Sequence, residues 1–97
     1  MESKDNLHLA LYLKALGNTT RLRLVEGLAG GEKCVSDMES SLGISQATVS
    51  QHLAVLKEHG IVACRKDGPL RCYRLSDPEL IVGILELAKK GMKEENK

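Results

Sequence analysis

The residues whose types could do chemistry are concentrated in a short polar stretch that follows Ile44. Its polar members are Ser45, Gln46, Thr48, Ser50, Gln51 and His52. Glutamine can form two hydrogen bonds with adenine, threonine can bond a base or touch a thymine methyl group, and serine can bond a phosphate. The stretch therefore has the composition of a surface that reads the major groove of DNA.

A helix is expected to carry this stretch. Ser45 is a favourable N-terminal cap, and three apolar residues follow at helical spacing: Val49, Leu53 and Leu56. These apolar side chains would face the interior and turn the polar ones toward solvent. His52 has two open roles, contact with DNA or support of helix packing beside Leu53. A polar helix face taken alone is ordinarily only a solvated surface, so its neighbours in the chain decide the interpretation.

A basic hairpin is expected directly after the polar helix. Two strand-like runs, 61–66 and 70–75, flank Asp67-Gly68, which is a strong turn signal. Three cations lie beside this turn and could reach the DNA backbone or the minor groove: Arg65, Lys66 and Arg71. The chain carries a net charge of only +1, but residues 45–75 hold five basic and two acidic side chains, giving +3 there and −2 elsewhere. This asymmetry favours a polyanion-binding surface.

The rest of the chain is expected to form helices that position this unit. The apolar pattern predicts a first helix over 7–16, a second over about 20–28, a third over 34–42 and a last one over 78–90. The charged tail from about residue 92 is expected to fray. The sequence thus predicts one domain spanning residues 1–97. It would be a mainly α winged helix-turn-helix, with four helices, a small β-hairpin and a last helix in that order.

Composition bears on assembly, location and chemistry. The 97 residues contain no Trp or Phe and only two Tyr, so aliphatic side chains must form the core. Small cores of this kind are often supplemented by pairing of subunits. The charged N-terminus and the absence of about 20 consecutive apolar residues argue against export and membrane insertion, so a cytoplasmic protein is expected. No nucleophile–base pattern, phosphate loop or paired-carboxylate site is recognisable, and an enzyme is not expected.

The three cysteines are the candidates for sensing a signal. An odd number in a cytoplasmic chain is expected to persist as thiols. Cys34 opens a helix, whose dipole stabilises a thiolate, so it is the candidate sensor thiol, with plain packing or one ligand of an intersubunit metal site as alternatives. Cys64 and Cys72 are expected to be small packed residues. Pairing their strands about Asp67-Gly68 places them on opposite sheet faces, which argues against joint ligation of a soft metal or metalloid ion.

Several segments resemble the ArsR-type family of winged-helix transcriptional repressors. Residues 44–56, ISQATVSQHLAVL, look like its recognition helix, 16–24, LGNTTRLRL, like the entry into its second helix, and 60–75 like its wing. The resemblance covers roughly residues 13–87. It implies a homodimer formed by the first and last helices, which binds a near-palindromic double-stranded DNA operator and is released by an inducer. It also assigns base and backbone contacts to Ser45, Gln46, Thr48, Ser50, Gln51 and His52, whereas Arg21 is expected to tie the second helix to its neighbour.

The chain departs from the metal-sensing proteins that it resembles. Many of them carry a Cys-x-Cys pair on the third helix, or Asp and His ligands on the last helix. Ser36 stands where the second cysteine would be, and residues 78–90 contain no His or Cys. The inducer is therefore open among a soft metal or metalloid ion bound by cysteine, a reactive sulfur species or oxidant, and no small molecule. The alternative for the whole domain is a winged helix that binds proteins and has no operator.

Overall fold

The computed structural model describes residues 3–95. Its elements are α1 (Ser3–Leu16), α2 (Thr19–Leu28), β1 (Lys33–Cys34), α3 (Val35–Leu42), α4 (Gln46–Glu58), β2 (Val62–Asp67), β3 (Leu70–Leu75) and α5 (Pro78–Glu95). The mainly helical winged helix-turn-helix predicted from the sequence is confirmed, with one added strand, β1.

One aliphatic core holds the helix-turn-helix against the sheet. Its largest fully buried side chains include Leu24 and Leu28 of α2, Met38 of α3, and Leu53 and Leu56 of α4. Each buried leucine contributes roughly 1.5–3 kcal/mol relative to an exposed one. Because the apolar stripe of α4 is fully buried as predicted, the orientation of that helix is fixed and its opposite face is turned outward.

Local signals set the ends of α3 and α4. Gly43 ends α3 with a φ of 68°, in the left-handed region that glycine adopts without steric cost. The Ser45 hydroxyl oxygen then accepts a hydrogen bond from the backbone N–H of Thr48 at 3.2 Å, as expected of a helix cap. The same hydroxyl donates to the Thr48 Oγ1 at 2.9 Å. The start of α4 is therefore fixed by two neighbouring side chains.

The hairpin turns at Gly68-Pro69 instead of the predicted Asp67-Gly68. Asp67 pairs with Leu70, and the pairing of the two strands is shifted by two residues from the predicted one. Glycine with a φ of 60° at the first central position suits a tight hairpin turn, and proline tolerates the second. Because the shift is even, every residue keeps its predicted face, and Cys64 still lies on the face opposite to Cys72.

Strand β1 makes the sheet three-stranded, in the order β1-β3-β2. Its two residues pair with β3, Lys33 with Tyr73 and Cys34 with Cys72. A two-residue strand carries no alternating pattern, which is why the sequence did not predict it. The pairing joins the start of α3 to β3, the central strand of the sheet.

Helices α1 and α5 leave apolar side chains uncovered. On α1, Leu7, Leu9, Leu11 and Leu13 are between 38% and 57% exposed, and on α5 Leu80 and Leu87 are exposed. Helix α1 begins four residues before the predicted start, and α5 continues through Gly91 to Glu95. The fraying predicted from about residue 92 stays a prediction, and residues 96 and 97 lie outside the described range. Within residues 3–95, no helix combines the length and apolar character needed to cross a membrane.

Candidate nucleic-acid interface

The outer face of α4 is an open surface of small and polar side chains. Its exposed members are Gln46, Ala47, Ser50, Gln51 and Ala54, and the capping residue Ser45 is exposed beside them. Thr48 is half-buried and bonded to Ser45, so it is turned partly away from this face. Val55 is half-buried and packs against the core, so this apolar side chain is not part of the open surface.

His52 contacts an arginine of α2. Its Nδ1 lies 3.2 Å from the Nη1 of Arg21, and both side chains are half-buried. The Arg21 Nε donates to the carbonyl oxygen of Ala15 at 2.5 Å, and its Nη2 donates to that of Lys14 at 3.4 Å. The prediction that Arg21 ties α2 to its neighbour is confirmed, and the structure adds its contact with α4.

Two wing cations lie side by side on the hairpin. Lys66 and Arg71 are cross-strand partners, and both are exposed. A cleft of about 410 Å³ separates the hairpin from α4, and Gln46, Ser50, Ala54, Leu70, Arg71 and Tyr73 contribute to its lining. Arg71 thus faces the same depression as the outer face of α4. This arrangement presents hydrogen-bonding groups from a helix beside positive charge from a wing.

Arg65 differs from its neighbours because it is held by a carboxylate. Its Nη2 lies 2.7 Å from Oε1 of Glu32, and its Nε donates to Oε2 at 3.2 Å. A second carboxylate, that of Asp67, lies 3.7 Å from its Nη1. The hydrogen bond from Arg65 holds the pKa of the Glu32 carboxyl below its usual value, so Glu32 carries its negative charge in neutral solution. Glu32 lies 33 residues before Arg65, and no local pattern could have identified it.

The cysteines are arranged differently from the prediction. Cys34 and Cys72 form a disulfide, whereas Cys64 is free and half-buried. The expectation that Cys34 and Cys72 persist as thiols is wrong for this structure, whereas a sensor role for Cys34 stays a prediction. The physical reason is that the two residues lie directly opposite each other on β1 and β3, which brings their sulfurs into bonding reach. That relation was hidden because β1 was not predicted.

The three cysteines do not assemble a common metal site. Two of the sulfurs are bonded to each other, and Cys64 lies on the opposite face of the sheet. No group of three or more His, Cys, Asp and Glu side chains in residues 3–95 is arranged to hold a metal ion. The soft-metal site considered for Cys34, Cys64 and Cys72 together is therefore not formed in this structure.

Comparison with known proteins places this arrangement in a family. The profile described as "Bacterial regulatory protein, arsR family" matches residues 18–63, from the cap of α2 into β2. The biofilm growth-associated repressor of Xylella fastidiosa is 43% identical over 77 residues, which are 79% of this chain and 67% of that protein. The transcriptional activator HlyU of Vibrio cholerae is 36% identical over 84 residues, which are 87% of this chain and 77% of HlyU.

A solved structure agrees with this placement. The homodimeric winged helix-turn-helix DNA-binding domain of Mb0332 from Mycobacterium bovis superimposes with a TM-score of 0.84 and 26% identity, covering 97% of this chain and 93% of that one. The matched profile contains the whole helix-turn-helix, α3 and α4, and the relatives extend over most of the chain. This protein therefore belongs to the arsR family of bacterial regulatory proteins and is a winged-helix, DNA-binding transcriptional regulator.

Proposed function

We propose that this protein is a homodimeric repressor that binds a near-palindromic operator in double-stranded DNA. The observation that carries the proposal is the outer face of α4 beside the basic wing. Gln46 and Gln51 are exposed and open to pair with base edges. Arg71 shares a cleft with Gln46, and Lys66 is the cross-strand partner of Arg71, so both cations are available to bind phosphates. Phosphate contacts would supply most of the affinity, and the glutamines would supply discrimination.

The uncovered leucines support the dimer. Leu7, Leu9, Leu11 and Leu13 expose apolar surface on α1, and Leu80 and Leu87 do so on α5. Large apolar patches of this kind commonly mark protein interfaces. We propose that a second copy of the chain covers these leucines. Two-fold pairing would present two copies of α4, which fits an inverted repeat in DNA.

We propose repression instead of activation because repression requires fewer interactions. A dimer lying across a promoter excludes the transcription machinery by occupancy alone, and no additional surface is required. The relatives bear names of both kinds, a repressor and an activator. Action on DNA would take place in the cytoplasm of a bacterial or archaeal cell.

The Cys34–Cys72 pair is the proposed receiver of a thiol-directed signal. All nine side chains expected to contact DNA, from Ser45 to Arg71, lie between these cysteines in the sequence, so the bond closes a loop around the whole DNA-contacting part. Closing it requires an oxidant such as a small disulfide: two cysteine thiols become one disulfide while the oxidant becomes two thiols. Closure would add a covalent bond to the backbone pairing of β1 with β3, and we expect it to lower the fit to DNA by limiting adjustment of the wing on the operator. A soft metal or metalloid ion bridging the reduced pair is the alternative signal.

Selection of bound sequences from random duplex DNA tests the proposal. The purified protein is used at fixed salt, in oxidised and in reduced form. Enrichment of an inverted repeat, with weaker binding by the oxidised form, is the expected result. Salt-sensitive binding without any enriched sequence would overturn the operator and favour a winged helix that binds proteins. Equal affinity of the two forms would remove the disulfide from regulation while leaving the operator in place.

A further inference from the structure

We infer that Arg21 is a positioning residue that presents His52 to DNA as a hydrogen-bond donor. The inference rests on the proposed function, because it assumes that α4 contacts DNA. The observation behind it is the 3.2 Å contact between the Arg21 Nη1 and the His52 Nδ1. This contact joins two half-buried side chains that lie 31 residues apart in the sequence.

The contact determines which ring nitrogen carries the proton. A guanidinium has five N–H donors, has no acceptor and stays protonated in proteins. The Nδ1 of His52 must therefore accept the hydrogen bond from Arg21. In a neutral imidazole the single proton then resides on Nε2, which becomes the donor of the ring.

The guanidinium is itself held in place by the end of α1. Its Nε and Nη2 donate to the carbonyl oxygens of Ala15 and Lys14, which belong to the last turn of that helix. The backbone N–H of Arg21 donates to the cap residue Asn18 at 3.0 Å. Carbonyls in the last turn of a helix lack partners within the helix. Arg21 supplies a donor to the Ala15 carbonyl and a second donor to the Lys14 carbonyl, which also accepts from the backbone N–H of Gly17, and these bonds orient the guanidinium. The chain of contacts runs from α1 through Arg21 to the ring on α4.

A proton fixed on Nε2 restricts the groups of DNA that His52 can recognise. It can bond only an acceptor, which on DNA is N7 or O6 of guanine, N7 of adenine, O4 of thymine or a phosphate oxygen. It cannot bond the amino groups of cytosine or adenine. In the Nδ1–H tautomer, Nε2 of His52 would be an acceptor, and it would bond the amino groups of cytosine or adenine instead. Arg21 would thus influence specificity without touching DNA.

The arrangement also connects two surfaces that the proposed function uses separately. Helix α1 carries the exposed leucines proposed to form the dimer, and its last turn orients Arg21. Displacement of the end of α1 would therefore move Arg21 and change the orientation of the His52 ring on α4. Arg21 is thus one link between the proposed subunit interface and the DNA-contacting helix, beside the direct packing of α1 on α4.

Nitrogen-15 NMR of the histidine ring in the free protein is the first test. The expected wild-type signal is the Nε2–H tautomer at His52, and Arg21→Gln should convert it to a mixture. Arg23→Gln is the matched control, because Arg23 lies on the same helix but donates to the carbonyl of Leu42 on α3. A wild-type Nδ1–H tautomer, or equal spectra in all three proteins, would overturn the inference. This experiment uses no DNA, so its result does not depend on the proposed function.

Operator binding is the second test. A glutamine amide reaches as far as the ring Nε2, whereas an asparagine amide corresponds to Nδ1. His52→Gln should therefore retain more affinity than His52→Asn, which should lose about threefold to tenfold, the value of one hydrogen bond. Arg21→Gln should weaken binding in the wild type but not in a His52→Ala background, while Arg23→Gln should act equally in both. Equal losses for Arg21→Gln in the two backgrounds would contradict the coupling.

The same variants distinguish the two sources of the acceptor. Loss confined to one base pair of the operator assigns the contact to a base edge. A uniform loss, with a salt slope flatter by about one unit, assigns it to a phosphate. If the wild type selects no operator at all, the proposed function fails and the DNA contact of His52 fails with it. The ring spectra then still decide the role of Arg21.

Discussion

Glu32 and Arg65 form a two-pronged ion pair on the outer side of the wing. The two contacts measure 2.7 and 3.2 Å and join the segment before β1 to strand β2. Arg65 lies on the sheet face opposite to Lys66 and is partly neutralised before DNA is present. Of the wing cations expected to bind DNA, Lys66 and Arg71 have no ion pair among residues 3–95.

Releasing Arg65 should strengthen DNA binding. Glu32→Gln removes the competing carboxylate, and we expect a several-fold higher affinity at low salt and a salt slope steeper by about 0.9, as for one added phosphate contact. Titrating DNA binding against salt concentration measures both. Glu79→Gln, at an exposed position in the first turn of α5, removes the same charge far from the wing. An equal gain in that control would show that net charge alone is responsible.

The two unpaired wing cations should dominate the electrostatic contact. Lys66→Ala and Arg71→Ala are each expected to flatten the salt slope by roughly one unit and to weaken all sequences alike. Arg65→Ala should change the slope by less, because Glu32 already holds its guanidinium. A loss at Arg65 as large as that at Lys66 would mean that the ion pair opens on DNA. Unchanged slopes for all three would remove the wing from the footprint.

Gln51 should carry base discrimination. It is exposed on the outer face of α4, where its amide is free to pair with adenine. Gln51→Ala is expected to cost about 1–3 kcal/mol of preference for the operator over random DNA. Competition binding with labelled operator gives this ratio, and Ser40→Ala, exposed on α3, is the control. If specific and non-specific affinity fall together, the contact is made to the backbone instead.

The disulfide should contribute to stability as well as to signalling. Cys34 and Cys72 are 38 residues apart, and a loop of that size is worth about 4 kcal/mol in the chain-entropy treatment. Reducing it should lower the free energy of unfolding in urea by a value of this order. Cys64→Ser keeps the bond and should remain sensitive to reductant, whereas Cys34→Ser should be insensitive. Identical unfolding of the wild type with and without reductant would contradict the expectation.

The dimer should depend on α1. Leu9→Lys places a charge on a residue that is 47% exposed within one chain, so it should dissociate the dimer without unfolding the subunit. Sedimentation velocity reports the first effect, and circular dichroism reports the second. Leu70→Lys is the matched control, since Leu70 is 46% exposed but lies on the wing. A monomeric wild type, or dimers that survive in the α1 variant, would place the interface elsewhere.

The sequence predicted those parts whose causes are local. The cap at Ser45 and the stripe of Val49, Leu53 and Leu56 were sufficient for α4, because adjacent residues determine both. The hairpin register was wrong by two residues, since the order of glycine and proline at the tip decides the turn. The features that were missed are non-local: β1, the disulfide and the partner of Arg65 each join segments more than 30 residues apart. No periodicity within a helix or strand reports such pairs.

The position of β3 in the centre of the sheet has a consequence for operator architecture. Since β3 is hydrogen-bonded to β2 on one side and to β1 on the other, the wing cannot swing without carrying the start of α3 with it. We therefore expect α3 and the wing of each subunit to meet DNA as a unit. Tolerance for a longer or shorter spacer between half-sites is then expected to reside in the proposed packing of α1 and α5 between subunits. Changes in spacer preference are expected to arise in those helices, while changes in base preference arise in α4.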